Sequence, residues 1–382
     1  MELDLSSYFA ASLALTFLLL VAEIIMHKTV FVLKFGISCL YIFMMLILIR
    51  GYLPFDFYKI NLTTSYYSHK VLPFLRTIIF YEINAGGKLV TVKQITITIL
   101  VVVWTLIICK RTYSYFAFNK YINLAAPCHN ARVLRICEDT FYTIFPSKRK
   151  YNIKIVRSNI FNTPALFISS NPIIILPDIL YTEEELKFVF YHELIHLKHG
   201  DFYVKIAVDF LTPAYWWNLF IYNCLFDIIN QAQELYVDYE VNKTLTKKER
   251  IVYLKVLSKT ADYIYNAKVR RKLIYALTDA QPINMRQRIK CIVSPEVRGL
   301  TFKGIIICIV LFVLSFTFVF EPYIQPARDE VGDKIFYLNE ELSYYIWDGT
   351  NYKLYISDEY VCTTQSIHED FKELPIYQEE LK

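Results

Sequence analysis

The sequence predicts an α+β protein of the multi-pass membrane class, with four α-helical spans and a soluble domain between the third and the fourth. Three observations support this prediction. The chain is 55% hydrophobic, and its mean hydropathy of +0.32 is high for an ordinary soluble domain. Four segments are apolar over about the length of a membrane helix. The long polar segment between the last two contains a pair of histidines at helical spacing.

The four predicted spans are the longest apolar runs of the chain. They lie at about 9–26, 30–49, 92–109 and 304–320. Any one of them could be a helix of a soluble core, but four in one chain favour membrane crossing. We therefore expect an N-terminal membrane domain over residues 1–111, in which the loop 51–91 lies outside the cell.

The distribution of charge orients these spans in the cell membrane. The first seven residues carry two acids and no base, whereas Lys110-Arg111 follows the third span and Lys303 precedes the fourth. Because basic residues stay on the cytoplasmic side, the N-terminus and the tail are predicted outside and residues 112–303 in the cytoplasm. The net charge of +5 is spread along membrane-proximal segments, which suits anionic lipid of the bilayer. No direct nucleic-acid binding is expected.

The first part of the cytoplasmic domain reads as a small sheet. Three short runs rich in β-branched and aromatic residues occur at 153–156, 165–168 and 172–177. An edge of such a sheet can receive a substrate peptide as an added strand. An aromatic stretch at 211–221 follows later in the domain, and both a membrane-interface location and a helix-packing core are open for it.

A helix with two histidines on one face follows the sheet. Thr182 and three glutamates after it form a helix start, and the sequence then reads His192-Glu193-Leu194-Ile195-His196. Residues four apart on a helix share a face, so both imidazoles can reach one metal ion. Glu193 can take a proton from a water molecule activated there. The pattern is that of a zinc peptidase, although a chance match is the alternative for an isolated motif.

A catalytic zinc needs a third protein ligand, and an acidic residue farther along is the best candidate. The pattern HExxHxxGxxH is excluded, because residues 199 and 202 are His and Phe. Glu234 and Asp238 share a helix face; Glu234 is the predicted ligand, and Asp238 is expected to accept the second N–H of a ligating histidine. Glu240 and Glu249 are weaker candidates. His199 is expected to lie beside the site and not to bind. One Zn²⁺ per chain is predicted.

The tail, residues 321–382, is acid-rich and predicted to be a small β-rich unit outside the cell. Alternating runs at 342–347 and 352–356 flank a turn there. The eight cysteines show neither a disulfide framework nor CxxC spacing. A basic run at 268–272, before the fourth span, is a candidate self-cleavage loop, with a continuing helix as the alternative.

Several motifs together resemble those of the M56 peptidases, the BlaR1/MecR1-type antibiotic-sensing signal transducers. They are the segments 163–167 and 172–177, the run HELIHLKHGD at 192–201, Trp216-Trp217-Asn218, Glu234-x-x-x-Asp238 and Arg286-Gln287-Arg288-Ile289-Lys290. The resemblance covers roughly residues 1–320. It implies a gluzincin-like domain with His192, His196 and Glu234 as zinc ligands, Glu193 as catalytic base and Asp238 as a supporting residue. It also suggests that Arg288 steadies the oxyanion.

The tail departs from the β-lactam receptors of that family, which carry an outer penicillin-binding domain with a Ser-x-x-Lys site. None of Ser343, Ser357 and Ser366 has Lys three residues on, so acylation by β-lactams is not expected.

These observations predict a membrane zinc endopeptidase that cleaves a cytoplasmic protein in response to an outside signal. The substrate is a transcriptional repressor, the chain itself or both, and a homodimer is left open. Two alternatives remain. One is a non-proteolytic transmembrane receptor that uses the peptidase fold as a relay, and the other is a housekeeping peptidase that clears membrane proteins.

Overall fold

The chain consists of two compact units, Met1–Leu62 with Ile78–Glu321 and Thr63–Thr77 with Pro322–Lys382. The computed structural model describes the residues in the ranges 5–54, 78, 81–85, 88–147, 152–158, 161–270, 285–294, 298–316, 343–347, 351–356, 359–364, 367 and 374–378. The first unit is mostly helical, and each unit contains β-sheet.

The first unit begins with the apolar helices. They are α1 (Leu5–His27), α2 (Thr29–Phe35), α3 (Ile37–Tyr52) and, after the hairpin of β1 (Glu82–Ala85) and β2 (Lys88–Thr91), α4 (Val92–Leu124). In the described residues two helices, Ser7–His27 and Val92–Leu124, are long and apolar enough to cross a membrane. A third crossing results if α2 and α3 form one span.

The second predicted span, 30–49, is not a straight helix. The chain bends by 88° between α2 and α3, at Gly36, whose φ of +100° favours glycine. A Cβ on Gly36 would lie 2.5 Å from the carbonyl oxygen of Gly299. The amide of Ile37 donates to the carbonyl oxygen of Arg298 at 3.0 Å, so segment 298–299 supplies acceptors to the first turn of α3.

The other two predicted spans differ from the structure in length. Helix α4 has 33 residues and continues past the expected end at 109. Beyond that end, Arg111 forms an ion pair with Asp209 at 3.0 Å. The fourth predicted span, 304–320, corresponds to α11 (Phe302–Leu314), which has only 13 residues. Residues 317–320 lie outside the described chain. The buried side chain of Arg50 attaches the end of α11 to α3, since its Nε donates to the carbonyl oxygen of Ser315 at 3.2 Å.

Between α4 and α11 the described residues form a sheet and six further helices. They are α5 (Ala131–Ile144), β3 (Lys154–Arg157), β4 (Ala165–Ile168), β5 (Pro172–Leu176), α6 (Glu183–His199), α7 (Asp201–Leu211), a 3-10 turn (Thr212–Tyr215), α8 (Leu219–Thr244), α9 (Lys247–Arg270) and α10 (Met285–Val293). Helix α9 includes the first part of the basic run at 268–272, and residues 271 and 272 lie outside the described chain.

The sheet has the order β3-β5-β4, with β3 parallel and β4 antiparallel to β5. Alternation along β5 places Ile174 and Leu176 in one hydrophobic cluster and Ile173 and Ile175 in another. The first cluster contains helices α5, α6 and α9, and the second contains Ile122 at the end of α4. The three strands occupy the positions predicted for them.

A separate hydrophobic cluster joins α1 and α3 to α7 and α8. It includes Leu15, Leu18, Phe43, Met44, Ile47, Val208, Leu211, Leu225, Ile228 and Leu235. Farther along α8, Val237 and Val241 belong to the cluster around the sheet. A single helix therefore runs through the core of the apolar bundle and the core of the sheet domain.

The second unit contains a four-stranded sheet. Its strands are β6 (Ser343–Trp347), β7 (Tyr352–Ile356), β8 (Glu359–Thr364) and β9 (Ile376–Gln378), in the order β8-β7-β6-β9. Tyr345, Leu354, Ile356 and Leu374 form its core. Strands β6 and β7 are the two that the sequence predicts in the tail.

Candidate metal centre

Helix α6 holds both histidines of the HExxH motif. It starts in a capping box, in which the Thr182 hydroxyl accepts from the Glu185 amide and the Glu185 carboxylate accepts from the Thr182 amide. It ends at Gly200, whose φ of +73° is left-handed. His196 lies four positions after His192, so their rings lie one turn apart on one buried face.

The predicted third ligand lies against these rings. The Nε2 atoms of His192 and His196 are 3.2 Å apart. The Glu234 carboxylate is 3.4 Å from Nε2 of His192 and 3.5 Å from Nε2 of His196. Ligand atoms at about 2.1 Å from a tetrahedral zinc are about 3.4 Å apart. The three donors therefore have the spacing of one face of a zinc tetrahedron.

The second ring nitrogen of each histidine has its own partner. Nδ1 of His196 lies 2.7 Å from the Asp201 carboxylate. Nδ1 of His192 lies 2.8 Å from the Tyr253 hydroxyl, which itself donates to Asp238 at 2.5 Å. The Tyr253 hydroxyl has one proton and donates it to Asp238, so it accepts a hydrogen bond from Nδ1 of His192. This leaves Nε2 of His192 with a free lone pair directed at the other two donors.

The position of Asp238 differs from the expected one. Its carboxylate lies 3.6 Å from Nδ1 of His192, which is beyond hydrogen-bond distance, and Tyr253 bridges the gap. Asp238 is expected from the sequence to accept directly from a ligating histidine. The packing of α9 against α6 places the phenol of Tyr253, 61 residues from His192 in sequence, between the two groups.

Arg288 is buried behind the acidic ligand. Its Nε and Nη2 donate to the two oxygens of Asp238 at 2.6 and 2.8 Å, and its Nη1 lies 3.0 Å from Glu234. Burial raises the pKa of Glu234, but the Arg288 charge and the two histidines outweigh it and hold that pKa well below 4.5. The guanidinium therefore keeps the ligand carboxylate charged and directed at the histidines.

The carboxylates also control the charge of His196 in the metal-free protein. Burial lowers the pKa of its imidazole, but hydrogen bonds and charge from Asp201 and Glu234 outweigh burial and raise the pKa to about 10. Without a metal these two carboxylates favour the protonated, positively charged form of the His196 ring. A divalent cation would take the place of that proton, since it satisfies the same electrostatic need.

The remaining predicted residues lie around this group. Glu193 follows the first ligand on α6 and is 6% exposed. Glu240 pairs with Lys243, and Glu249 caps α9 through Thr246. His199 packs its ring on Tyr236 at 4.9 Å. Among the described residues, the group with ligand atoms within 4.8 Å of one another is His192, His196 and Glu234.

Sequence reasoning missed Asp201, Tyr253 and two further residues that hold Asp201. The Tyr41 hydroxyl, on α3, donates to Asp201 at 3.0 Å, and the Gln233 amide donates to it at 3.3 Å. The one available signal was local, because Asp201 lies five residues after His196 and ends the motif run. Nothing in the sequence indicates the contacts of Tyr41 and Tyr253, which are distant along the chain.

Comparisons with known proteins identify the family of this chain. The sequence model of the family described as BlaR1 peptidase M56 matches residues 9–292. The curated Regulatory protein BlaR1 of Bacillus licheniformis is 32% identical over 114 residues, which are 29% of this chain and 19% of that protein. The matched region thus spans about a fifth of that relative. Since the family match covers most of the residues described above, this chain belongs to the M56 peptidases, a family of BlaR1-type metallopeptidases.

Proposed function

We propose that this protein is a membrane zinc endopeptidase in which His192, His196 and Glu234 hold one Zn²⁺ and Glu193 is the general base. The observation that carries the proposal is the set of three donors, 3.2 to 3.5 Å apart. Two nitrogens and a carboxylate at this spacing match zinc, which binds three protein ligands in catalytic sites and keeps one position open.

Zinc in such a site supplies Lewis acidity, which activates a water molecule and polarises a peptide carbonyl. The chain supplies the rest. Glu193 takes the proton from the attacking water and passes it to the leaving amine. Asp201 and Tyr253 fix the two imidazoles in orientation, which keeps both Nε2 lone pairs directed at the metal.

Arg288 has a positioning role in this proposal. The sequence resemblance suggests that it steadies an oxyanion, but its Nε and Nη2 are used by Asp238 and its Nη1 by Glu234. A guanidinium held by two carboxylates orients the acidic ligand, and its loss would leave Asp238 and Glu234 as buried charges without a counterion.

The substrate is proposed to be a protein segment in extended form. Strand β4 forms one edge of the sheet, with β3 at the other. Phe167 of β4 packs edge-on against Phe202, close to the end of the metal helix. A peptide added along β4 would lie beside the metal, with its backbone held by strand hydrogen bonds.

For the role in the cell, we keep the orientation of the spans and the tail that the sequence predicts. In it, the metal centre faces the cytoplasm, the N-terminus and tail lie outside, and the enzyme cleaves a repressor or itself when a signal arrives. A relay receptor and a housekeeping peptidase are the alternatives. The relative from Bacillus licheniformis is named a regulatory protein, which favours the signalling interpretation.

The decisive experiment replaces Glu193 by Gln. The amide keeps the shape of the side chain but cannot accept a proton, so the variant should retain zinc and lose about 10²–10⁴ in turnover. Glu184→Gln, at an exposed position of the same helix, is the matched control and should cleave normally. Captured substrate is then identified on the inactive variant.

Full cleavage by Glu193→Gln would exclude this mechanism. If instead the variant loses cleavage but cells still respond to the signal, the relay receptor is the better account.

A further inference from the structure

We propose that residues 201–234, which follow the metal-binding helix, form a helical hairpin embedded in the membrane beside α1 and α3, with the metal centre at its base. The sequence places this segment in the cytoplasm with the rest of 112–303. The inference deepens the proposed function by locating the site at the membrane surface. It rests on the proposed function only in one respect, namely that α1 and α3 cross the membrane. It does not require the protein to be catalytically active.

The first arm of the hairpin, α7, runs alongside α3. Its start lies at Tyr41, which donates to Asp201 at 3.0 Å. Helix α7 ends beside Gly51 of α3. The Leu211 side chain packs so closely there that a Cβ added to Gly51 would lie 2.5 Å from it. The turn that follows stays at this level, since the Tyr215 hydroxyl donates to the Gly51 carbonyl oxygen at 2.8 Å. Ten residues on each helix correspond to about 15 Å.

The second arm, α8, returns alongside α1. The Trp217 indole donates to the Tyr8 hydroxyl at 2.8 Å. The Asn218 amide donates to Ser12 and Thr16, each at 2.9 Å. All three partners lie in the first half of α1, which the charge pattern places toward the outside.

At the base of the hairpin, α8 reaches the other end of α1. The Gln231 amide donates to Gln287, whose own amide donates to the Met26 carbonyl oxygen, both at 2.7 Å. Tyr8 and Met26 are about 27 Å apart on a straight helix, close to the thickness of a bilayer core. The hairpin, together with Gln287 of α10, therefore follows α1 over nearly all of its apolar length.

The outer surface of the hairpin fits lipid acyl chains. Tyr203, Phe210 and Leu219 are 62%, 48% and 71% exposed, and they lie at successive levels of a bundle whose other helices are candidate spans. The exposed charge Asp209 is paired with Arg111 of α4, itself a candidate span. Charged groups at membrane depth pair with one another or face water.

One face of α8 is polar and leads to the metal ligands. Asn223 and Asp227 are exposed, and their spacing puts them on the same helix face as Asn230 and Glu234. Water along this face would connect the site to the polar side of the hairpin. The bilayer would then cover the apolar side, and the metal would act on peptide bonds at or near the membrane surface.

The four tryptophans of the chain provide the test. A variant with Trp104→Phe and Trp347→Phe keeps only Trp216 and Trp217, at the tip of the hairpin. Two reference variants keep only Trp104, on the candidate span α4, or only Trp347, in the tail. Each is reconstituted in phosphatidylcholine vesicles with bromine on the acyl chains, and iodide serves as the aqueous quencher.

We expect brominated lipid to quench Trp216 and Trp217 about as strongly as Trp104, and iodide to quench them much less than Trp347. Iodide quenching equal to that of Trp347, without quenching by lipid, would overturn the proposal.

A second readout avoids the tryptophan changes. In intact vesicles an aqueous maleimide should label Glu184→Cys but not Leu219→Cys, and it should label both after denaturation, as read on the modified peptides by mass spectrometry. Equal labelling of the two in intact vesicles would place the hairpin in water. Neither readout depends on cleavage, so inactivity of the enzyme would not affect the result.

Discussion

At the scale of single residues, the metal centre is a local motif held by distant groups. The grouping of His192, His196 and Glu234 was predictable, because residues four apart on a helix share a face and a zinc site needs a third ligand. Tyr41 and Tyr253 were not, because they reach the site from helices 160 and 61 residues away from their partners. Hydrogen bonds of this kind depend on tertiary packing, for which a single sequence carries no periodic signal.

The first prediction concerns the ligands. His196→Ala and Glu234→Ala should each lower the zinc content of the purified protein and abolish cleavage, because two remaining ligands hold zinc weakly. Metal analysis after dialysis measures the content. Glu240→Ala is the matched control, since that carboxylate pairs with Lys243. Full zinc in Glu234→Ala would mean that another acid is the third ligand.

Tyr41 should act on the metal from the membrane helix. Its hydroxyl donates to Asp201, which orients His196, so Tyr41→Phe should weaken zinc affinity by about tenfold. The ring would still stack on Tyr236, at 4.5 Å between centroids. Tyr236→Phe preserves the same stack and should leave the affinity unchanged. Competition with a chelator measures both, and equal affinities in the two variants would argue against a role for the Tyr41–Asp201 bond.

At the scale of elements, hydropathy predicted where the apolar helices are and missed how they end. The chain after the bend at Gly36 donates backbone hydrogen bonds to segment 298–299, and α4 past Lys110 pairs with Asp209 through Arg111. Both partners lie in other parts of the chain. The start of α6 was predicted because its capping box is entirely local.

The start of α6 should show a defined pH dependence. Burial raises the pKa of Glu185, but the bond to Lys259 and the cap with Thr182 lower it below 4.5. A lowered pKa means that folding favours the charged form, so the stabilisation is present above pH 4.5 and is lost as the pH falls. Glu185→Gln retains the cap and removes only the charge, which should cost at most about 1 kcal/mol at pH 7.

Thermal unfolding at two pH values tests this. The melting temperature of Glu185→Gln should fall below that of the unmodified protein at pH 7, and the gap should close as the pH falls below 4.5 and through the lowered pKa of Glu185 in the folded protein. Glu184→Gln, in the same turn but exposed, should show no gap at either pH. A gap of constant size would assign the effect to something other than the charge.

At the scale of the whole first unit, α8 is the element that joins the apolar helical bundle to the sheet domain and the candidate metal centre. Its first half packs in the cluster with α1 and α3, and its second half packs with the sheet domain. Glu234 lies near the junction. The hydropathy of the sequence assigns α7 and α8 to the soluble domain and not to the apolar bundle, because Asp209, Asp227 and their polar neighbours lower the hydropathy of these two helices. Packing brings them together, because the apolar positions of α8 form a continuous buried face.

This continuity predicts that the metal stabilises the membrane bundle as well as the sheet domain. Zinc at a thousandfold excess over its dissociation constant would add about 4.1 kcal/mol to the folded state. Because α8 runs through both cores, the two cores should unfold in a single thermal transition. Chelation of zinc should lower the midpoint temperature of that transition. The fluorescence of Trp216 and Trp217 reports the bundle, and circular dichroism of the sheet and helices reports the whole. In Glu234→Ala the chelator should have no effect. A chelator that lowers the circular-dichroism transition but leaves the tryptophan transition in place would show that the two cores unfold independently and that α8 does not transmit the stabilisation.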